Sequence, residues 1–316
     1  MNHAIDPVDL FISRLYRSTQ QISLANFRHW ALQGLQSLID FDSAIWSTGH
    51  LSTRTFHTHT LLGLPDSYPQ DLLKNLPHNP ISSPLFNSPG RPVDMSDVVD
   101  DDVFYSSRIY QQFFRRYGIE RILSSVHIDG RSGIYTLLTL YRNKRDRGFD
   151  NSDKALYQRT LFHLLSAASH AGVAQLKSPM EHRVEHFAIC DKHGVYHEAE
   201  PSFLDLVEES FPGHTRQLLP FPVPIFGEKQ LAGPLIVSAT PLGDLSRVTI
   251  REANALDQLT TRERDVVEGV TQGLSFKQIA RELSLSPSTV SNHLYRVYQK
   301  LKISNRSELA ELIKER

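Results

Sequence analysis

The sequence predicts a multi-domain α+β protein: two mixed units of sheet and helix, then an all-α domain of four short helices with a helix-turn-helix at its centre. Three observations carry this. Strand-length runs of alternating apolar residues come in groups, rather than alternating one by one with helices. A short break at Lys177-Ser-Pro-Met180 separates two such groups. Beyond Leu259 the spacing turns purely helical, and each helical run begins with a residue able to cap it.

In chain order, residues 7–20 and 24–38 carry helical apolar spacing, with Ser23 placed to cap the second run. A strand begins at Phe41-Asp-Ser-Ala-Ile-Trp46, and residues 53–60 alternate like another. Residues 64–94 hold seven prolines and read as a turn-rich span wrapping over one face of the sheet. Residues 97–117 read as one helix stopped by Gly118. Arg121-Ile-Leu-Ser-Ser-Val-His-Ile128, a turn at Asp129-Gly130 and residues 134–141 make a hairpin, and Asn151 or Asp153 starts a long helix to about Val173. After the break, Phe187-Ala-Ile-Cys190, a turn at Asp191-Lys-His-Gly194 and residues 195–199 form a second hairpin. A helix over 201–210 and strands over 235–240 and 245–251 complete that unit.

The last domain is the most informative. Thr260 with Glu263, Ser275 with Gln278, and Asn305 with Glu308 have capping-box spacing, and Ser286-Pro287 reads as N-cap and N1. Gly273 stands where the first helix must stop, and Ser284-Leu285-Ser286 leaves only a tight turn before the third. On a wheel advancing about 100° per residue, Val290, Leu294, Val297 and Leu301 fall on one core-facing line. Ser291, Asn292, Tyr295, Arg296 and Gln299 fall opposite, and no acid occurs from Ser284 to Arg306. From Ser275 to Arg306 six basic residues (Lys277, Arg281, Arg296, Lys300, Lys302 and Arg306) face one acid, Glu282, whereas the whole chain is −1. Local positive charge beside amide and hydroxyl groups suits double-stranded DNA, since Asn reads adenine in a bidentate way and cations hold phosphates.

Leu259-Thr260-x-Arg262-Glu263, Gly273, Ser275-x-Lys277-x-Ile279-Ala280, Leu283, Ser286, Thr289-Val290-x-x-His293 and Lys300-Leu301 resemble the LuxR/GerE-type helix-turn-helix. The resemblance implies DNA binding as a homodimer at inverted repeats, with the third helix in the major groove and the fourth pairing two copies. Carried over by position, Ser291, Asn292 and Tyr295 become base readers, and Lys277, Thr289, Arg296 and Lys300 phosphate contacts. Many members have a cation where this chain has Ser291, which implies a different base preference. Leu309, Leu312 and Ile313 are candidates for the dimer contact or for the core. Upstream, Tyr117-Gly-Ile-Glu120, Phe149-Asp-Asn-Ser-Asp153 and Leu161-Phe-His-Leu-Leu165 are similar to GAF-like sensory domains, and the second unit's hairpin, short helix and strands resemble a PAS-type module. The implied architecture is GAF-like and PAS-like α/β sandwich sensory domains over 1–178 and 183–252, with the reader over 255–316.

A chain of 316 residues at 40% hydrophobic content has room for two or three such domains. Residues 1–254 carry 24 basic and 27 acidic residues, so nothing there suggests polyanion binding. The single Cys190 precludes an internal disulfide and fits a reducing cytoplasm. The opening Met1-Asn-His-Ala-Ile-Asp-Pro7 lacks a secretion-signal pattern, and no apolar run has membrane-spanning length, so a cytoplasmic protein without membrane partners is expected.

Two histidine pairs, His57 with His59 and His182 with His186, have ligand-like spacing but no third ligand beside them, so no metal is expected. The acids Asp94, Asp97, Asp100, Asp101 and Asp102 read as a solvated loop and first helical turn. A phosphorylated receiver domain would alternate strand and helix from the start, whereas this chain opens with two helices. No phosphate loop, Walker-type lysine or Gly-x-Ser-x-Gly elbow occurs, so neither cofactor nor catalytic residue is expected and the chain is not read as an enzyme. Phe41, Trp46, Tyr68, Phe86, Tyr105, Tyr110, Phe113 and Phe114 either pack the first core or line a pocket for a small-molecule signal. Acyl-homoserine-lactone receptors share the reader and a helix–sheet–helix front, but Asn79-Pro80 stands here for their Asp-Pro, which removes the lactone amide's acceptor. The expected function is a sequence-specific transcriptional regulator switched by a signal in the front domains. The alternative is an interaction protein that titrates a partner regulator into heterodimers.

Overall fold

The computed structural model of the chain describes residues 6–53, 55–176, 185–214 and 217–314. Two helices open the chain, α1 (Pro7–Ser18) and α2 (Leu24–Gln36). Asp6 caps α1 by accepting from the Val8 N–H at 2.9 Å, with Pro7 in the first turn. Ser23 holds the N-cap position of α2 without a side-chain capping bond. The hairpin of β1 (Ser43–His50) and β2 (Thr55–Leu62) follows.

The proline-rich span does cover one sheet face, but as ordered pieces: α3 (Tyr68–Asn75), α4 (Ser82–Asn87) and a two-residue strand β3 (Val93–Asp94). Pro69 and Pro77 lie in the first turns of α3 and of the 3₁₀ turn Leu76–His78, where a missing N–H costs nothing, so they start helical turns rather than forbid them. The single helix expected over 97–117 is instead α5 (Met95–Val98), α6 (Asp101–Ser106), α7 (Arg108–Gln112) and a 3₁₀ turn ending at Gly118 in the left-handed region. Ser107 makes the main break: its hydroxyl donates to the Phe104 carbonyl at 2.6 Å and accepts from the Tyr110 N–H at 3.3 Å. The hairpin of β4 (Arg121–Ile128) and β5 (Ile134–Arg142) then leads to the long helix α8 (Asn151–Leu176).

These strands form one antiparallel sheet in the order β2-β1-β5-β4-β3. It is covered on both faces. Phe27, Leu32, Trp46, Leu140 and Leu164 belong to a core under α1, α2 and α8, whereas Tyr68, Leu85, Phe104, Phe114 and Tyr141 belong to a second core under α3 to α7. This is the helix–sheet–helix build expected for the first unit, and it buries every residue of β1.

The second unit contains β6 (His186–Cys190), β7 (Tyr196–Ala199), α9 (Pro201–Ser210), β8 (Lys229–Ala232), β9 (Leu235–Leu242) and β10 (Leu245–Glu252). Its sheet order, β7-β6-β10-β9-β8, repeats that of the first sheet: the first and last strands of the unit pair at the centre. Edge strand β8 was not foreseen, because four residues without a buried position leave little pattern to read. The units meet along a polar seam. Arg131 pairs with Asp205 at 2.5 Å, Gln217 Nε2 donates to the Gly130 carbonyl at 2.8 Å, and the ring of His57 stacks on that of His197 with centroids 3.7 Å apart. Gly133, at φ +72°, is needed here, since a Cβ would come within 2.7 Å of both Gln217 Oε1 and His50 Nε2.

Last comes a bundle of α10 (Thr261–Thr271), α11 (Phe276–Glu282), α12 (Pro287–Leu301) and α13 (Arg306–Lys314) on its own core. A 3₁₀ turn, Ala255–Gln258, joins it to β10, and Arg251 at the end of β10 grips Asp257 in that turn through two bonds of 2.7 and 2.5 Å. Among the described residues, no helix is long and apolar enough to cross a membrane.

Candidate nucleic-acid interface

Each reader helix starts as its cap signals require. Thr260 and Glu263, and Ser275 and Gln278, exchange both bonds of a capping box, and the Ser286 hydroxyl accepts from the Thr289 N–H at 3.1 Å. The turn between α11 and α12 is tight enough to force Ser284 to φ +55°, an uncommon conformation for a residue with a Cβ. Gly269 lets α10 and α11 close up, for a Cβ there would meet Ile279 Cγ1 at 2.8 Å. These constraints fix α12 on the bundle by one face, burying Val290, Leu294, Val297 and Leu301.

The opposite face of α12 presents Ser291, Asn292, Tyr295, Arg296 and Gln299 to solvent, with Tyr295 65% exposed. Lys277 is exposed at the start of α11, and Thr289 is half-buried with its hydroxyl bonded to that of Ser286 at 2.8 Å. Lys300 also has partners within the domain. Its ammonium donates to Glu263 Oε2 at 2.6 Å and to the Gln258 carbonyl at 3.3 Å, while its side chain remains 36% exposed. Burial alone would raise the Glu263 carboxyl; the Lys300 ammonium and the Thr260 N–H hold it below its ordinary value instead. Arg306, also exposed, donates to the Val270 carbonyl. Two of the six cations that made the segment basic thus have partners within the domain. On α13, Leu309 is fully buried and belongs to the core, Leu312 is half-buried, and the side chain of Ile313 lies outside the described residues.

In the first unit, a cavity of about 570 Å³ opens between the sheet and the α3–α4 cover, bordered by Leu51, Leu73, Leu76, Pro77, Phe86 and Tyr135. A recess of about 30 Å³ runs on beneath it towards Phe114, Tyr141 and Asn79. The Asn79 side-chain oxygen is buried there without a hydrogen-bond partner. Of the aromatic residues singled out, only Phe86 and Phe114 line these spaces. Phe41 and Trp46 lie in the core on the other sheet face, and Tyr68, Tyr110 and Phe113 are core on this one. Tyr135 and Tyr141 escaped notice because strand aromatics read simply as sheet formers. Among the described residues, no three His, Cys, Asp or Glu side chains converge as a metal site; His182 lies outside them.

Residues 257–313 match the family of bacterial regulatory proteins of the luxR family, so the bundle is a luxR-family DNA-binding domain. Over 58 residues the chain is 50% identical to the transcriptional regulatory protein UhpA of Salmonella typhimurium, which covers 18% of this chain and 30% of UhpA. Over 55 residues it is 44% identical to the nitrate/nitrite response regulator protein NarL of Escherichia coli, covering 17% and 26% respectively. The chain spans 7% to 38% of the length of such curated relatives. Among solved structures, Escherichia coli SdiA aligns over 97% of this chain and 96% of its own at 12% identity and a TM-score of 0.40. A phycoerythrobilin-bound GAF domain from a cyanobacterial phytochrome aligns over 54% of this chain and 99% of its own at 12% identity and a TM-score of 0.39.

Proposed function

We propose that this chain is a sequence-specific transcriptional regulator, a cytoplasmic homodimer and not an enzyme, whose reader is switched by a signal in the front units. The observation that carries the reading is the acid-free outer face of α12, where Ser291, Asn292, Tyr295 and Arg296 stand in water on a helix anchored by its other side. Side chains with rich hydrogen-bonding capacity on a fixed helix are what major-groove readout needs. Ser291, Asn292 and Tyr295 read bases; Lys277, Thr289 and Arg296 hold phosphates; Lys300 holds Glu263. Leu312 is the remaining candidate for contact between two copies.

The proposed domains are 1–178, a PAS-like 183–252 and 255–316. The half-buried Arg251–Asp257 grip makes the join to the reader stiff, so a change in the second unit is passed on as a change in reader spacing. The signal is a small molecule with an apolar body seated under α3 and α4 and one donor directed at Asn79. Selection of binding sites from random duplexes by the full chain should return an inverted repeat with half-sites about one turn, ~10 bp, apart. Asn292→Ala should relax preference at one base by ~1–3 kcal/mol. An unenriched pool from the wild-type chain would overturn the reading, and would favour heterodimer formation with another regulator.

A further inference from the structure

We propose that the seam between the two front units is a second ligand site, which takes a small zwitterion of amino-acid size through Arg28 and Glu198. A cavity of about 140 Å³ lies there, on the opposite face of the first sheet from the space under α3 and α4. Its floor is Trp46, Leu165 and Ala168. Arg28 enters from α2 in the first unit and Glu198 from β7 in the second, beside His197.

The guanidinium is pre-positioned. One of its nitrogens donates to Thr58 Oγ1 at 2.8 Å, and its central carbon sits 5.6 Å from the centroid of the Trp46 ring. The carboxylate is fitted just as closely. Glu198 Oε1 lies against α8 at Gly172, 2.7 Å from where a Cβ on that residue would stand. Burial disfavours the charged form of both groups, lowering Arg28 and raising Glu198, and each charge partly restores the other. Yet among the described residues they form no direct ion pair, although the fold faces them across a shared cavity.

Two opposed charges that feel each other across a gap are best satisfied by a molecule carrying both. A carboxylate matches the planar guanidinium in a forked geometry, and an ammonium matches Glu198. A space of roughly 150 Å³ holds a ligand of about six heavy atoms, which is the size of alanine. Because Arg28 and Asp129 line the site from the first unit and Glu198 from the second, the occupied site ties the units together, and binding stabilises their docking by mass action. The site is read without DNA, so its failure and that of the DNA-reading role are separate outcomes.

The experiment is ligand-observed NMR with calorimetry on the full chain, using glycine, L-alanine and L-serine against propionate and ethylamine, which each carry one of the two charges. Binding of at least one amino acid, at least tenfold tighter than either single-charge probe, is expected. Arg28→Met and Glu198→Gln should each weaken it at least tenfold. Ser169→Phe, which fills the cavity from α8 and leaves both charged residues in the chain, should abolish it, and circular dichroism checks that each variant folds. Absence of binding by all three amino acids, equal binding of propionate or ethylamine, or full binding by a folded Ser169→Phe chain would each overturn the proposal.

Discussion

Replacing Lys300 with methionine separates two roles for a cation on a DNA-reading helix. The substitution keeps the stem and removes the ammonium that faces Glu263, whose side chain is only 4% exposed. Removing one partner of a buried ion pair costs about 3–5 kcal/mol, because the other charge is left uncompensated. Here the lysine side is 36% exposed, so water can reach part of the vacated space, and Glu263 keeps its bond from the Thr260 N–H at 2.7 Å. A cost of about 2–3 kcal/mol is therefore expected. With m near ~1 kcal/mol/M for a domain this small, the urea midpoint of the reader should fall by about 2–3 M. Glu263→Gln in the same chain should recover much of the loss, since the amide oxygen still accepts from Thr260 and no charge is stranded. The slope of log K against log salt, corrected for the folded fraction, should not change. A reader of wild-type stability whose salt slope drops by about 0.9 would refute this account and return Lys300 to the phosphate set.

Arg296→Ala should show the reverse pattern, with unchanged urea stability and a salt slope reduced by about 0.9 on any duplex. Ser284→Gly should stabilise the reader by about 0.5–1 kcal/mol in urea melts, because it relieves a left-handed backbone at a residue with a Cβ. Asp257→Asn should break the grip of Arg251 at the join, and limited proteolysis should then cut near Ala255 several-fold faster with both flanking cores intact. The front units should lose stability on acidification. Burial first, and then His197 and His50, push His57 down from 6.5 to about 4, while Asp191 pulls the other way. The unfolded chain thus takes a proton below about pH 6.5 that the folded chain refuses until about pH 4, so this stability is complete above 6.5 and lost between those values. Half-exposure of the ring limits the loss to about 1–2 kcal/mol. Urea midpoints at neutral and mildly acidic pH, compared with those of His57→Asn, check it, and equal pH dependence in the two chains would count against it.

Much of the local structure was legible because its causes are local. Ser275, Gln278, Ser286 and Pro287 each act within one turn, so helix starts in the reader could be placed to the residue. The α12 stripe was equally plain, since Val290, Leu294, Val297 and Leu301 recur at the spacing of one helical face. Where a residue had two competing uses, the pattern failed. The prolines over 64–94 signalled turns, but helical first turns accept them, and Ser107 interrupted a run whose apolar spacing looked continuous.

By itself the sequence determined the order of the elements, the helix-turn-helix and the face of α12 that meets solvent, because periodicity and capping act within a few residues. Tertiary structure alone decided which charges are free. Lys300 and Arg296 sit four residues apart in the same basic segment, yet one meets Glu263, 37 positions away, and the other meets water. It also decided that the units share one strand order and that Arg28 faces Glu198 across their seam. Such pairings depend on the closing of long loops, and no local pattern records which distant residues a closed loop brings together.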